Sequence, residues 1–269
     1  MPPDTCLGRV LLVGAGPGAA DLLTLRAARA IEAADALLYD ALVAEKVLAL
    51  APARCLRIQT GKRAGRASMK QETINRLMLR LARRGLVVVR LKGGDPSVFG
   101  RVGEEKAFLA AHDIPVEIVP GVTAASAAAA QFGVPLTHRA EARRLLFLTA
   151  AANDGALPEA GWAAAADPET TLAIYMGKAQ AGALAARLIA NGCAASTPVL
   201  AVENAGRADA RPIPATIAGL ERALADAAPE GPVVILVGVV AARADLSRHA
   251  SSSASPPFGL RARRTGASG

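Results

Sequence analysis

The chain has 269 residues, enough to bury a substantial core as one large domain or two smaller ones. Apolar residues make up 52% and aromatics only 3%, so the core must be built from Ala, Val and Leu, and recognition by base stacking is disfavoured. The formal charge is +8, but Arg248, Arg261, Arg263 and Arg264 in an acid-free tail supply half of it; the rest favours acidic ligands, and no basic stripe interleaved with aromatics calls for a nucleic-acid partner.

In chain order, short apolar runs alternate with helical patterns. A strand is expected over 10–13, a helix over 22–34 with Asp21 as its cap, strands over 36–39 and 56–58, a helix over 71–84, a strand over 87–91, a helix over 103–111 and a strand over 116–119. Gly85 and Gly192 sit where helices should end. Continuously apolar strands between helices imply a mostly parallel sheet covered on both faces. The pattern pauses in the polar, basic segment 135–144, which places a domain boundary there, and restarts with a strand over 145–149. Strands over 171–175, 198–202 and 233–240, a polar strand near 208–214, and helices over 180–191 and 217–227 make a second α/β unit. The expected division is 1–137, 138–246 and a Ser-, Pro-, Gly- and Arg-rich tail, 247–269, expected to be disordered.

Cys6, Cys55 and Cys193 are odd in number and far apart, without a C-x-x-C pair, so neither a disulfide framework nor a metal site is expected. A reducing cytoplasm is the simplest setting. Residues 1–9 lack a basic region followed by an apolar one, and no run of eighteen apolar residues exists, so neither export signal nor membrane span is expected. The alanine-rich stretch 122–136 is too short and is broken by Ser126, Gln131 and Gly133.

Two glycine loops carry the chemistry. Arg90-Leu-Lys-Gly-Gly-Asp-Pro96 leaves a β-branched strand, then passes Gly100 and Gly103 into a helix whose first turn suits Glu104 and Glu105 through its dipole. Gly93 and Gly94 let backbone approach a ligand, and the Asp95 carboxylate is an acceptor for an amine or a ribose hydroxyl, although the same residue types also make ordinary turns. Gly14-Ala-Gly-Pro-Gly18 follows the first strand. It is not a dinucleotide fingerprint, because Ala19 stands where the third glycine belongs and Pro17 removes an N–H; no P-loop match occurs.

Taken with Leu38-Tyr39-Asp40, Gly61-Lys-Arg-Ala-Gly65, Pro120-Gly-Val-Thr-Ala-Ala-Ser126, Pro135-Leu-Thr-His-Arg139, Tyr175-Met-Gly177 and Val202-Glu-Asn204, these loops give a set of motifs that resembles the uroporphyrinogen-III C-methyltransferases. The resemblance runs from about Val10 to Val240 and is closer in the first half. It extends to the methyltransferase portion of bifunctional sirohaem synthases, whose dehydrogenase and chelatase module is not expected with this chain. It implies two α/β domains of the tetrapyrrole methylase type, a cleft between them for S-adenosylmethionine, S-adenosylhomocysteine as product, and a homodimer. Pro17, Gly93, Gly94, Asp95, Val98, Thr123, Ala124, Met176 and Ala205 fall where the family contacts the cofactor. Met176 by itself would read as core packing. Asp40 and Lys62 match the family's proton acceptor and proton donor, although Asp40 could equally cap a helix and Lys62 could pair with an acidic ligand.

The implied reaction is C-methylation of uroporphyrinogen III at C2 and C7 to precorrin-2, serving cobalamin or sirohaem formation. The acceptor bears carboxylates that Lys62, Arg63, Arg101 and Arg139 could meet, with a weaker claim for Arg66 and Lys70. Rival readings are a relative acting on a later corrin precursor or on RNA, and a sensor that binds the cofactor without turnover. Ala150, Ala152 and Ala205 depart from the family pattern; if position 205 needs a positive φ, alanine is strained there. His138 reads as a structural linker residue.

Overall fold

A computed structural model describes residues 7–61, 69–151, 157–158 and 162–247. Its first half is a sheet of five parallel strands, β1 (Arg9–Gly14), β2 (Ala36–Tyr39), β3 (Leu56–Gln59), β4 (Val87–Lys92) and β5 (Val116–Val119), in the order β3-β2-β4-β1-β5. Every ladder is parallel, so both faces must be covered, and β1 and β4 are buried along almost their whole length. On one face, Leu11, Val13, Leu37, Val89 and Leu91 pack with α1 (Leu25–Glu32) and α2 (Glu45–Leu48). On the other, Val10, Leu12, Leu38 and Val88 pack with α3 (Gln71–Ala82) and α4 (Val102–Ala110).

The cap of α1 is Thr24 and not Asp21. Thr24 Oγ1 accepts the N–H of Ala27 at 3.1 Å. Residues 20–22 form a 3-10 turn ahead of it, and the extended backbone of Leu23 and Thr24 keeps that turn from joining the helix. Gly85 and Gly192 adopt positive φ just past α3 and α7 (Ala181–Ala190), as helix ends require.

The second sheet joins β6 (Arg144–Thr149), β7 (Thr170–Tyr175), β8 (Pro198–Glu203), β9 (Arg211–Thr216) and β10 (Val233–Val237) in the order β6-β7-β10-β8-β9. Only β6 and β7 run parallel; the other three ladders are antiparallel. β9 can hold Pro212 and Pro214 because it is an edge strand whose outer side needs no ladder bonds. It starts later than the expected 208–214, because residues 204–210 form a turn. β10 ends at Val237, where Gly238 (φ +133°) turns the chain into a 3-10 helix, so the expected strand to residue 240 is cut short.

One face of this sheet carries α6 (Trp162–Ala165), α7 and α8 (Leu220–Ala227). The opposite face carries α5 (Ala124–Gln131), whose Ala125 and Ala128 lie with Phe132 against Ala173, Leu200, Val202 and Leu236. α5 was not expected from the sequence, since a run of alanines has no apolar period to mark a buried face. It precedes the expected boundary at 137/138 in the chain, yet packs on the sheet that follows it.

Candidate functional site

In a parallel sheet every strand delivers its C-terminal end to the same edge, where ligands of open α/β sheets bind. Here the loops after β1, β2, β4 and β5 converge on the end of β7, the turn after β8 and the start of β10, around a cavity of about 770 Å³. It takes in Pro17, Asp40, Gly93, Gly94, Asp95, Val98, Arg101, Thr123 and Ala124 from the first half. Met176 and Ala205 close it from the second sheet.

Three of these loops touch as bare backbone. A Cβ on Gly121 would lie 2.3 Å from the Gly94 carbonyl oxygen, and one on Gly14 would lie 2.6 Å from Gly121. Gly16 and Gly94 bridge by reciprocal N–H···O bonds of 3.2 and 2.7 Å. Asp95 staples the junction: Oδ2 accepts the N–H of Gly121 at 2.9 Å and Oδ1 that of Ser97 at 2.7 Å. Its carboxylate is thus already engaged in holding the loops that form the cavity wall.

Asp40 is held similarly. Oδ1 accepts the Leu42 N–H at 3.0 Å and Oδ2 the Gly93 N–H at 3.3 Å. It caps no helix, since α2 begins only at Glu45, after Ala44. The two bonds aim the carboxylate at the cavity between the β2 and β4 loops.

Below it lies a buried charged group that the sequence reading missed. Glu105, expected in the first turn of a helix on account of the helix dipole, does stand there but is fully buried. Its Oε1 accepts from Lys92 Nζ at 2.9 Å, Gln71 Nε2 at 2.9 Å and Arg90 Nε at 3.4 Å, and Oε2 has no hydrogen-bond partner among the described residues. Burial, followed by the charge of Arg90, pushes the Lys92 ammonium down, while Glu105 opposes the shift. Arg90, Lys92 and Gln71 all reach the cavity floor. Lysine and arginine inside a strand of the Arg90-Leu-Lys92 kind were the available signal, because buried cations require a partner.

The second sheet contributes Tyr175, whose hydroxyl lies 2.5 Å from Thr123 Oγ1 and accepts the Ala125 N–H at 3.2 Å, tying β7 to the start of α5. Burial pushes its phenol up. Phe99 stacks on Tyr175 at 5.3 Å. Met176 is not a core residue: it is 52% exposed, with φ +59°. Phe99, Arg101, Met176 and Asn204 are four of the six non-glycine residues at positive φ among the described residues, and all four stand at or beside the cavity. Such backbone persists only where its surroundings hold it. Ala205 itself escapes, since the positive φ falls on Asn204 and Gly206 on either side; alanine is unstrained there. Lys178 donates to the carbonyls of Pro229 (2.9 Å), Glu230 (3.4 Å) and Gly231 (3.2 Å), fixing the loop before β10.

Arg101 reaches the cavity but already forms two bonds to Glu104, of 2.9 and 2.7 Å. Those bonds hold the Glu104 carboxyl below its ordinary range. Arg139 is not brought to the cavity: His138 and Ala142 exchange backbone bonds across a tight turn, which leaves Arg139 exposed there. Lys62, Arg63 and Arg66 lie outside the described residues, as do Ala152 and the tail from 248. Among the described residues no three His, Cys, Asp or Glu side chains cluster as metal ligands would, and no helix is long and apolar enough to cross a membrane. What the cavity offers is bare backbone, an apolar rim of Leu42, Phe99 and Met176, the Asp40 carboxylate, and a floor that includes Arg90 and Lys92, a wall suited to positioning a reactant closely.

Residues 9–221 match the family model for tetrapyrrole (corrin/porphyrin) methylases. The chain is 47% identical over 240 residues to a uroporphyrinogen-III C-methyltransferase of Paracoccus denitrificans, covering 89% of this chain and 83% of that protein. A sirohaem synthase of Methylococcus capsulatus is 45% identical over 87% of this chain, which spans only 49% of that longer protein. Among solved structures, a uroporphyrin-III C-methyltransferase of Thermus thermophilus complexed with S-adenyl homocysteine superposes with a TM-score of 0.74 at 42% identity, over 87% of this chain and 98% of that one.

Proposed function

The chain belongs to the tetrapyrrole methylase family, and from that premise we propose that it methylates uroporphyrinogen III at C2 and C7, by way of precorrin-1, to give precorrin-2. The methyl donor in this reading is S-adenosylmethionine, which supplies an electrophilic methyl on a sulfonium. The observation that carries the reading is the convergence of Pro17, Gly93, Gly94, Asp95, Thr123, Met176 and Ala205 on the same cavity as Asp40. That convergence supports a single cleft serving both donor and acceptor.

The chain fits such a donor physically. The junction of Gly14, Gly94 and Gly121, where a Cβ would collide with backbone, brings main-chain groups close to a ligand, and Pro17, Val98, Thr123, Ala124, Met176 and Ala205 supply small or apolar contact. An electron-rich pyrrole carbon needs no activated nucleophile, so the protein's work is orientation and proton removal. Asp40 Oδ1 and Oδ2, each held by a backbone N–H, form a fixed acceptor for the proton lost from the adjoining meso carbon. Leu42 and Phe99 at the rim shield the reacting edge from water. Arg101 from the described part of the cleft, with Lys62 and Arg63, meets acceptor carboxylates. A homodimer in the cytoplasm goes with the same reading.

The test is an anaerobic incubation of the purified protein with S-adenosylmethionine and uroporphyrinogen III, followed by mass analysis of the tetrapyrrole. A gain of two methyl groups is expected. No gain from a folded protein that still binds S-adenosylhomocysteine would overturn the assigned acceptor and turn the search to later corrin precursors.

A further inference from the structure

Arg207 lies in the turn after β8 and belongs to none of the motifs that mark the cleft. Its backbone is nevertheless closely held. Gln131, at the end of α5, donates through Nε2 to the Arg207 carbonyl at 3.0 Å and accepts the Gly206 N–H on Oε1 at 3.0 Å. The Arg207 N–H bonds the Asn204 carbonyl at 3.0 Å, and the Asn204 N–H bonds the Pro232 carbonyl at 2.9 Å. The turn is therefore a rigid base anchored to the second sheet.

From that base the guanidinium crosses the cleft. Nη2 donates to the Leu42 carbonyl at 2.9 Å, and Nε reaches the Pro17 carbonyl at 3.5 Å. The crossing is built into the neighbouring backbone. Gly18 has no Cβ where one would lie 2.5 Å from Arg207 Cγ, and Gly206 has none where one would lie 2.3 Å from Pro17 Cγ. The Ala19 N–H closes the junction on the Gly206 carbonyl at 3.0 Å. The residue that Arg207 grips is the one whose N–H binds Asp40 Oδ1.

We propose that Arg207 is a positioning residue: it ties the turn that presents Asp40 to the loops around Pro17 and Ala205, so that the donor side of the cleft sets the orientation of the acceptor-side carboxylate. The inference rests on the acceptor reading of Asp40 given above. Both partners of Arg207 across the cleft are carbonyls, so the link is directional and fixes an angle as well as a distance. Alanine would free the Leu42 turn on one side, so that the turn whose Leu42 N–H holds Asp40 Oδ1 would no longer be fixed from across the cleft. Lysine keeps the charge and can still donate to a carbonyl, but all its donors sit on one nitrogen, whereas Arg207 meets the Pro17 and Leu42 carbonyls from two separate nitrogens, Nε and Nη2, of a rigid plane.

The experiment is a cycle of Arg207→Ala, Asp40→Asn and the double variant, assayed for uroporphyrinogen III methylation, with S-adenosylhomocysteine affinity and melting temperature measured for each. Arg207→Ala is expected to lower kcat about 10-fold, since small displacements of a positioned group are costly. S-adenosylhomocysteine affinity should change less than about 3-fold, and in the Asp40→Asn background the same substitution should cost less than about 2-fold, because a residue acting through another couples to it. Arg207→Lys should recover part of the loss, and it replaces Arg207→Ala in the cycle if the latter melts below assay temperature. Equal losses in both backgrounds, or a loss of S-adenosylhomocysteine affinity as large as the loss of kcat, would overturn the proposal. If Asp40→Asn leaves no measurable rate, uroporphyrin III affinity is read in the same cycle with the same criterion. A wild-type protein that methylates nothing would count against the functional reading instead. A wild-type that methylates, matched in kcat by Arg207→Ala, would sink the positioning role alone.

Discussion

The two halves each hold five strands with helices packed on them, yet they meet the cavity on different terms. In the parallel half, the loops after β1, β2, β4 and β5 all arrive at the cleft, so the residue types that chemistry needs are spread over four chain segments, of which those after β1 and β4 are rich in glycine. In the mostly antiparallel half, neighbouring strands point opposite ways, and the cleft receives the ends of β7 and β8 together with the start of β10. The first half holds its loops by glycine contacts and a buried ionic group. The second relies on side chains such as Lys178 and Glu203 that grip the loop before β10, while left-handed residues occur in both halves. One topology thus collects functional loops, while the other supports and closes over them.

The strongest way to break the contrast is Glu105→Gln, which removes the carboxylate shared by Arg90 and Lys92 in the first half. Two buried cations would be left without their anion, a change that costs about 3–5 kcal/mol. Melting and denaturant curves should show that loss at neutral pH. The deficit should shrink as pH rises, because Lys92, already pushed down by burial, can discharge; a deficit independent of pH between 7 and 10 would argue against the cluster as charged. Next in size is Asp40→Ala, expected to lower turnover about 100-fold, within the range for a positioned base. On the proposed acceptor role of Asp40, cofactor affinity should change far less, and Lys62→Ala should show the same split. Equal losses of turnover and affinity in a folded variant would remove Asp40 from that side. Gly121→Ala follows, at about 1–3 kcal/mol of stability, since a Cβ 2.3 Å from the Gly94 oxygen forces backbone to move. It should also weaken S-adenosylhomocysteine binding measured by calorimetry, and unchanged affinity would show that the glycine junction does not shape the donor wall.

The same contrast decides what the sequence could reveal. Continuous apolar runs such as residues 10–13 have few alternatives to a buried strand, and the glycine loop after them stands out by composition. Direction in the second sheet left no such trace: Val233–Val237 is as apolar as a parallel strand but runs antiparallel to both neighbours. The alanines of α5 carry no period, and Asp21 lost the cap of α1 to Thr24 through a local turn that propensity does not encode. At the site, Asp40, Gly93, Gly94 and Asp95 were legible because their motifs are compact. Arg207, Lys178 and Glu105 were not, because their roles are set by partners 165, 51 to 53 and 13 to 34 positions away.

The smallest expected effect sharpens the comparison from the second half, where Glu203 holds the loop that closes the cavity. Its Oε1 accepts the Gly231 N–H at 2.6 Å, and its Oε2 binds Arg211 through Nε at 2.9 Å and Nη2 at 2.7 Å. Burial pushes this carboxyl up, but the Gly231 N–H and the hydrogen bond and charge of Arg211 together bring it below the ordinary 4.5. A depressed folded value means stability that is present above the unfolded value and lost as pH falls through the folded one. Glu203→Gln should therefore cost roughly 1 kcal/mol at pH 6 and above. Wild type should lose that advantage on acidification from about 4.5 downward, so that the two melting curves converge. A gap that stays constant from pH 6 to 3.5 would mean that Glu203 holds the loop by shape and hydrogen bonding alone. The two halves would then differ in kind, with charge structuring the parallel sheet and backbone geometry structuring the antiparallel one.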